Sequence, residues 1–458
     1  MPEPVPDRPV LPPPLIPAWL ARRPGWMLGL WTAVLWLVQP LVFLRLFWKS
    51  LGLPAYRRRW GERLGFVPRR RADVWFHTVS VGEFNAALPL IRAWQARRPQ
   101  DRVLVTATTP TGLQRVADCL GDTVLRAHFP QDLPGAQRRF LQRVRPGLAV
   151  FLETEIWPNA WHACGRAGVP LALINARLSS RSARGYARLA PLLRETFRHC
   201  RLLSCQTQTH LQHFRALGVE PGRAMVAGNL KYDLQLEQGL LQQAALWRRS
   251  QNRQRLLVFA STHEGEERLL IPAMQALKDE SRLLVIVPRH PERAVSVCRR
   301  LAGQGLAARL ESELGLPPHG LGREKLAGVE VLVVDRLGAL LFWMAAADAC
   351  FMGGSLVDVG GHNVLEPAAL GKPVFTGPHV HNFQQIVEAL EADGGLIRVA
   401  DALELYQAME NLLADEAALQ QAGMAGRNHV MAHRGAVKRT LDALLDCILP
   451  EVSHNGPP

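Results

Sequence analysis

From Asp73 onward, short unbroken apolar runs alternate with stretches whose apolar residues recur every three to four positions. The runs are 73–79 (DVWFHTV), 102–107 (RVLVTA), 147–152 (GLAVFL), 170–175 (PLALIN), 201–206 (RLLSCQ) and 224–227, and helical periodicity fills 84–97, 133–145 and 187–199 between them. Strands that are apolar throughout, rather than at every second residue, predict a parallel sheet buried on both faces. After a polar, helical connection at 235–254, a second series starts at 255–260 (RLLVFA) and continues at 282–287, 330–334, 349–352 and 373–376. The expected fold is α/β: two Rossmann-like domains facing a cleft, with ligands beyond the carboxyl ends of the strands. The boundaries read as a first domain over 49–230, a linker over 231–252, a second domain over 253–450 and a tail over 451–458.

Residues 1–25 form a proline-rich extension, and 26–48 read as a membrane anchor. Within the anchor, "WMLGLWTAVLWLVQPLVFL" (26–44) has no charge and approaches the length that crosses a hydrocarbon core. Gln39-Pro40 interrupts it, which leaves both a spanning and an interfacial helix open. Arg45, Lys49, Arg57, Arg58, Arg59 and Arg63 follow it. That excess predicts a membrane-attached protein whose main body faces the cytoplasm, with cations beside anionic headgroups.

Charge sharpens this. The chain has 54 Lys+Arg against 40 Asp+Glu, a formal net charge of +14. Such a surplus calls for an anionic partner: nucleic acid, anionic lipid or a phosphorylated substrate. Nucleic acid is disfavoured, because the arginines are spread out and the aromatics concentrate in the apolar segment. The seven cysteines include no CxxC pair and no zinc-finger spacing. They read as core-filling thiols, and no metal site is expected.

Candidate chemistry lies at predicted strand ends. In "SVGEFNA" (80–86), Ser80 and Glu83 have capping-box spacing, so Glu83 is either a helix cap or a catalytic carboxylate. "FLETEIWPN" (151–159) brings Glu153 and Glu155, "NARLSSRSARGY" (175–186) brings Arg177, and "GNLKYD" (228–233) brings Lys231, a candidate phosphate contact. In the second domain, Ser261 and Thr262 of "FASTHEGEE" (259–267) either start a phosphate-binding helix or merely cap it, with Glu264 or Glu266 completing the cap. Arg289 and His290 of "IVPRHPER" (286–293) follow the next strand, where an arginine holds phosphate or carboxylate. In "FMGGSLVDVGGHNVLEP" (351–367), Gly353 and Gly354 would offer close backbone N–H groups, and Asn363 and Glu366 would face the cleft, the carboxylate suiting a ribose diol.

These stretches, in this order, resemble the 3-deoxy-D-manno-octulosonic acid (Kdo) transferases that act on lipid A in lipopolysaccharide biosynthesis. The likeness runs from about residue 27 to about 445 and includes "YRRRWGERLGF" (56–66), "HTVSVGEFNAALPLIRA" (77–93) and "GGSLVDVGGHNVLEPAALGKPVFTGPHVHNF" (353–383). One departure is Val359, where the family often has a basic residue. The resemblance implies a GT-B glycosyltransferase that moves Kdo from CMP-Kdo to the glucosamine disaccharide of the lipid A precursor (lipid IVA). It implies inversion, no metal and no cofactor beyond the donor substrate. Glu83 would be the base. Ser261, Thr262, Arg289, His290, Gly353, Gly354, Asn363 and Glu366 would hold the CMP moiety, and Glu153, Glu155 and Arg177 the acceptor. A UDP-sugar glycosyltransferase or an epimerase would share the Gly-rich loops but not the whole motif series.

Overall fold

The computed structural model describes residues 25–251, 255–315, 317 and 320–448. Residues 1–24 of the proline-rich extension, the tail over 451–458 and the 252–254 junction lie outside them. The chain forms two compact units: residues up to Asp233 together with those from Arg434 onward, and Leu234–His433.

The first unit is built on seven parallel strands: β1 (Val74–Thr78), β2 (Val103–Ala107), β3 (Leu125–His128), β4 (Leu148–Leu152), β5 (Leu171–Ala176), β6 (Cys200–Cys205) and β7 (Ala224–Val226). Their order is β3-β2-β1-β4-β5-β6-β7. Every residue of β1, β2, β4 and β5 is buried, because helices cover both faces. Trp75, Phe151 and Leu173 point into one core with Phe129 and Phe140. Val74, Phe76, Val150 and Ile174 point into the other, against Phe84, Leu90, Ile91 and Trp94 of helix Val81–Arg97.

The second unit repeats the plan with β8 (Arg255–Thr262), β9 (Arg282–Pro288), β10 (Ala308–Leu310), β11 (Val331–Val333), β12 (Ala349–Met352), β13 (Val374–Thr376) and β14 (Leu396–Arg398), in the order β10-β11-β9-β8-β12-β13-β14. The fold class is as expected. The strands absent from the sequence reading are β3, β10 and β14, all at sheet edges.

The second-domain boundary needs correction. Residues 434–448, allotted above to that domain, belong to the first unit. The Asp233 carboxylate accepts from Gly435 N at 2.7 Å and Val437 N at 2.6 Å, and Arg439 Nε donates to Ala227 O. Ala436, Leu444 and Cys447 of helix Ala436–Ile448 then pack into the core beside helix Val81–Arg97. Periodicity shows that a helix is amphipathic, not which sheet it covers.

The apolar N-terminal segment is one helix, Trp26–Gly52, with Pro40 inside it, longer than the 26–48 anchor read from sequence. It is long and apolar enough to cross a membrane. Leu28, Trp31, Leu35, Gln39, Val42 and Leu46, spaced by three or four, form a partly to fully buried stripe, whereas Leu30, Leu37, Leu41, Leu44, Trp48 and Leu51 are exposed. Two polar bonds fix the stripe to the first unit: Trp31 Nε1 to Asp132 Oδ2 (3.3 Å) and Thr32 Oγ1 to Asn159 Oδ1 (2.9 Å). Five cysteines are buried and two half-buried, all as free thiols.

Candidate functional site

In each sheet the chain leaves the central strand toward one edge and later returns to its other side, next to β1 in the first unit and next to β8 in the second. Loops diverge at such a switch point and leave a crevice beyond the strand ends. Glu83 follows β1, while Glu153 and Glu155 follow its neighbour β4.

The cap question is answered geometrically. Ser80 is the extended N-cap of helix Val81–Arg97, but its hydroxyl makes no capping bond. Glu83 does not bond the Ser80 N–H either. Its Oε2 accepts from Val79 N, one residue earlier, at 2.7 Å. Glu153 is buried in the left-handed region (φ 52°), and its Oε2 accepts from Arg177 Nε at 2.6 Å. Glu155 accepts from Trp157 Nε1 at 2.7 Å and lies 3.8 Å from His77 Nε2. Asn175 Oδ1 accepts from Leu230 N at 3.0 Å, which pins the segment carrying Lys231 to the end of β5. Lys231 thereby feels Glu153, Arg177 and Glu83. The structure thus brings together all five first-domain candidates: Glu83, Glu153, Glu155, Arg177 and Lys231.

Burial, then the charge of Glu155, pushes the Glu83 carboxyl up to about 8; the Val79 N–H opposes the shift, Glu153 adds to it and Arg177 opposes it. The first turn of a helix favours an ionised carboxylate. Here desolvation and two like charges outweigh that preference. Burial also lowers the Lys231 ammonium, with Glu153 acting against the shift.

The second unit corrects two expectations. Ser261 and Thr262 do not begin a helix. Both lie in β8, Ser261 at φ 55°, and helix Glu266–Leu277 starts later behind the N-cap Gly265. Its first turn carries two buried carboxylates of the protein itself, Glu266 and Glu267. Glu267 takes two bonds from Arg293 (2.8 and 3.0 Å) and one from Thr262 Oγ1 (3.2 Å). Nor do Gly353 and Gly354 offer their N–H groups to a ligand. Gly353 N donates to Ala260 O at 2.8 Å and Gly354 N to Glu266 Oε2 at 2.6 Å. Glu266 accepts further from Ser355 N (3.0 Å), Leu356 N (2.9 Å) and His263 N (3.1 Å). A Cβ on Gly353 would stand 2.7 Å from Glu266 Oε2, so glycine is required by this carboxylate.

An arginine and three imidazoles gather there instead. Arg289 and His290 follow β9 and are exposed. His263 and His362, which sequence reading passed over, stack with rings 5.0 Å apart and Nε2 atoms at 2.8 Å. Burial pushes His362 down to about 4, followed by the influence of His263, Arg289 and His290. Imidazoles held neutral beside an arginine regain basicity when an anion binds. Asn363 Nδ2 donates to Glu366 Oε1 at 3.0 Å, and burial raises the Glu366 carboxyl while that bond lowers it. Among the described residues no cluster of three or more His, Cys, Asp or Glu could hold a metal ion.

A sequence model of the 3-deoxy-D-manno-octulosonic-acid transferase family matches residues 58–234. The 3-deoxy-D-manno-octulosonic acid transferase of Haemophilus influenzae is 35% identical over 427 residues, covering 90% of this chain and 97% of its own. That of Bordetella pertussis is 35% identical over 442 residues, covering 91% and 99%. Among solved structures, MurG of Acinetobacter baumannii gives a TM-score of 0.53 at 11% identity, covering 83% of this chain and all of its own. A UDP-N-acetylglucosamine 2-epimerase gives 0.51 at 16%, covering 82% and 96%. At such identities the likeness concerns the fold alone, a two-domain α/β architecture of the GT-B type. With the relatives matched over nearly their whole length, the chain belongs to the 3-deoxy-D-manno-octulosonic acid transferase family, glycosyltransferases of lipopolysaccharide biosynthesis.

Proposed function

We propose that the protein transfers Kdo from CMP-Kdo to a sugar hydroxyl of the acylated, phosphorylated glucosamine disaccharide precursor of lipid A (lipid IVA), with inversion and without a metal. The observation that carries this reading is Glu83: a carboxyl at a sheet switch point whose proton affinity burial and Glu155 raise to about 8. A general base works best when its pKa lies near the working pH. Glu83 takes the proton of the acceptor hydroxyl as its oxygen attacks the anomeric carbon. The bond from that carbon to CMP breaks, and the electron pair leaves with the phosphate. Arg289 supplies positive charge for that phosphate, with His290 and the His263–His362 pair beside it as imidazoles that gain basicity once the anion is bound. Glu153 and Arg177 hold each other in place beside the base. The exposed face of helix Trp26–Gly52 lies in the inner membrane, the catalytic units face the cytoplasm, and Arg45, Lys49 and Arg57 meet anionic headgroups.

The test is a product mass. Membranes containing the protein, given CMP-Kdo and tetra-acylated lipid A precursor, should yield an acceptor heavier by one or more Kdo units. UDP-sugars in place of CMP-Kdo should yield none. An unchanged acceptor mass with CMP-Kdo would overturn the reading.

The pH profile tests the base. The rate should rise with pH as Glu83 loses its proton, levelling off above about 8. Glu155→Gln removes the largest like charge while retaining an oxygen for Trp157 Nε1. Its rising limb should move toward acid by roughly half to one pH unit. A limb that stays put, or moves toward alkali, would show that another group titrates.

A further inference from the structure

His77 lies fully buried in β1 and takes no part in the transfer step above. A buried imidazole ordinarily has both ring nitrogens hydrogen-bonded. In His77 only Nδ1 is, at 3.0 Å from Thr106 Oγ1, the residue opposite it on β2. Nε2 is buried without a hydrogen bond among the described residues, and Glu155 Oε2 stands 3.8 Å from it. Phe129 stacks on the ring with centroids 3.9 Å apart, and Phe151 meets it edge-on at 5.4 Å. Such aromatic walls keep the local dielectric low, so a dipole beside Glu155 counts for more than it would at the surface. Glu155 is in turn the largest charge acting on Glu83, whose other charged neighbours are Glu153, Arg177 and Lys231.

The surroundings fix where the imidazole proton sits. Trp75 Nε1 can only donate, and it donates to Thr106 Oγ1 at 2.8 Å. The Thr106 hydroxyl keeps one proton of its own, with two acceptors in reach: His77 Nδ1 at 3.0 Å and Phe76 O at 3.5 Å. The shorter contact wins. Nδ1 then accepts, and a neutral imidazole that accepts at Nδ1 carries its proton on Nε2. The other side of the ring gives the same answer, because a bare Nε2 would set a lone pair against a carboxylate. Donation thus passes from Trp75 through Thr106 and His77 toward Glu155, which also takes the Trp157 Nε1 proton at 2.7 Å. At 3.8 Å the imidazole N–H is too far for a full hydrogen bond, but its dipole favours the ionised carboxylate.

We propose that His77 is a positioning residue for the base: with its proton on Nε2 it keeps Glu155 ionised, and Glu155 in that form keeps the proton on Glu83 until the acceptor site is ready to use the carboxylate. The role of Glu83 rests on the Kdo-transfer reading, so the test needs neither donor nor acceptor. Full-length protein in detergent micelles, labelled with ¹³C at the glutamate carboxyls, is titrated by NMR, the Glu83 signal being assigned by its loss in Glu83→Gln. His77→Phe keeps a ring between Phe129 and Phe151 but removes the N–H. Glu155 then shares the proton, and the half-titration of Glu83 should move toward acid by about 0.3–0.5 pH unit. His77→Gln, whose amide nitrogen reaches about as far as Nε2, should leave it within about 0.1 unit of wild type. In a Glu155→Gln background, His77→Phe should move it no further. The proposal is overturned if the half-titration stays in His77→Phe, or moves equally with and without the Glu155 carboxylate. Wild type labelled with ¹⁵N at histidine tests the tautomer without any reliance on the folding of His77→Phe. Its His77 signals should show a proton on Nε2, and a bare Nε2 overturns the proposal. A Glu83 titration that behaves as described in a protein that transfers no Kdo would count against the Kdo-transfer reading and leave the His77 assignment standing.

Discussion

Glu83→Gln should give a folded protein that still binds CMP and transfers Kdo about 10²–10⁴-fold more slowly. Glutamine keeps an oxygen for the Val79 N–H, so the turn at Val79–Ser80 is retained. It cannot take a proton at neutral pH. The same substitution should stabilise the protein, and the sign follows from linkage. Glu83 rises from an ordinary 4.5 to about 8 on folding, so between those values the native state binds the proton more tightly than the unfolded chain does. The stability tied to the protonated carboxyl is complete below about 4.5 and is lost as pH climbs through about 8. Each unit of that difference corresponds to about 1.4 kcal/mol. Glutamine avoids the loss. The variant should therefore melt several degrees above wild type at pH 9 and close to it at pH 4.5. Near-normal turnover would remove Glu83 as the base. A melting difference that is the same at both pH values would show that its carboxyl is not desolvated as described.

How much was legible depended on whether a signal was local. β1, β2, β4 and β5 were plain because burial on both faces leaves an unbroken apolar run. The edge strands β3, β10 and β14 were not. Leu-Arg-Ala-His, Ala-Arg-Leu and Leu-Ile-Arg are short, carry a cation and pair on one side only. Glu83 stood out through its motif, but its raised proton affinity did not. That comes from burial and from Glu155 and Glu153, some seventy positions away, through contacts no spacing encodes. The histidines were harder still. His263 and His362 are 99 residues apart and become a pair only because β8 and β12 are neighbours. The local hint was that each histidine lies in a segment following a predicted strand.

Glu266→Ala should be the most damaging single change in the second unit. It would strand four backbone donors, those of His263, Gly354, Ser355 and Leu356, around a fully buried position. Orphaned buried donors cost about 1–3 kcal/mol each. Even partial relaxation then removes a large share of a typical total stability of about 5–15 kcal/mol. We expect a fall of more than about 10 °C in Tm and loss of detectable CMP binding, with Glu266→Gln only partly better because its amide nitrogen would face N–H groups. A protein that melts within about 2 °C of wild type and still binds CMP would show that the loop after β12 holds itself. The same geometry constrains how the donor is held. Successive N–H groups converging on one point make an anion site, and here the anion is the protein's own side chain. On the proposed Kdo-transfer reading, the phosphate of CMP-Kdo is then expected to be met by side chains, foremost Arg289 and His290 with the His263–His362 pair. Its binding should weaken with rising salt, as an interaction between exposed charges does, and should strengthen as pH falls and the His263–His362 pair, whose proton affinity burial lowers, takes up a proton.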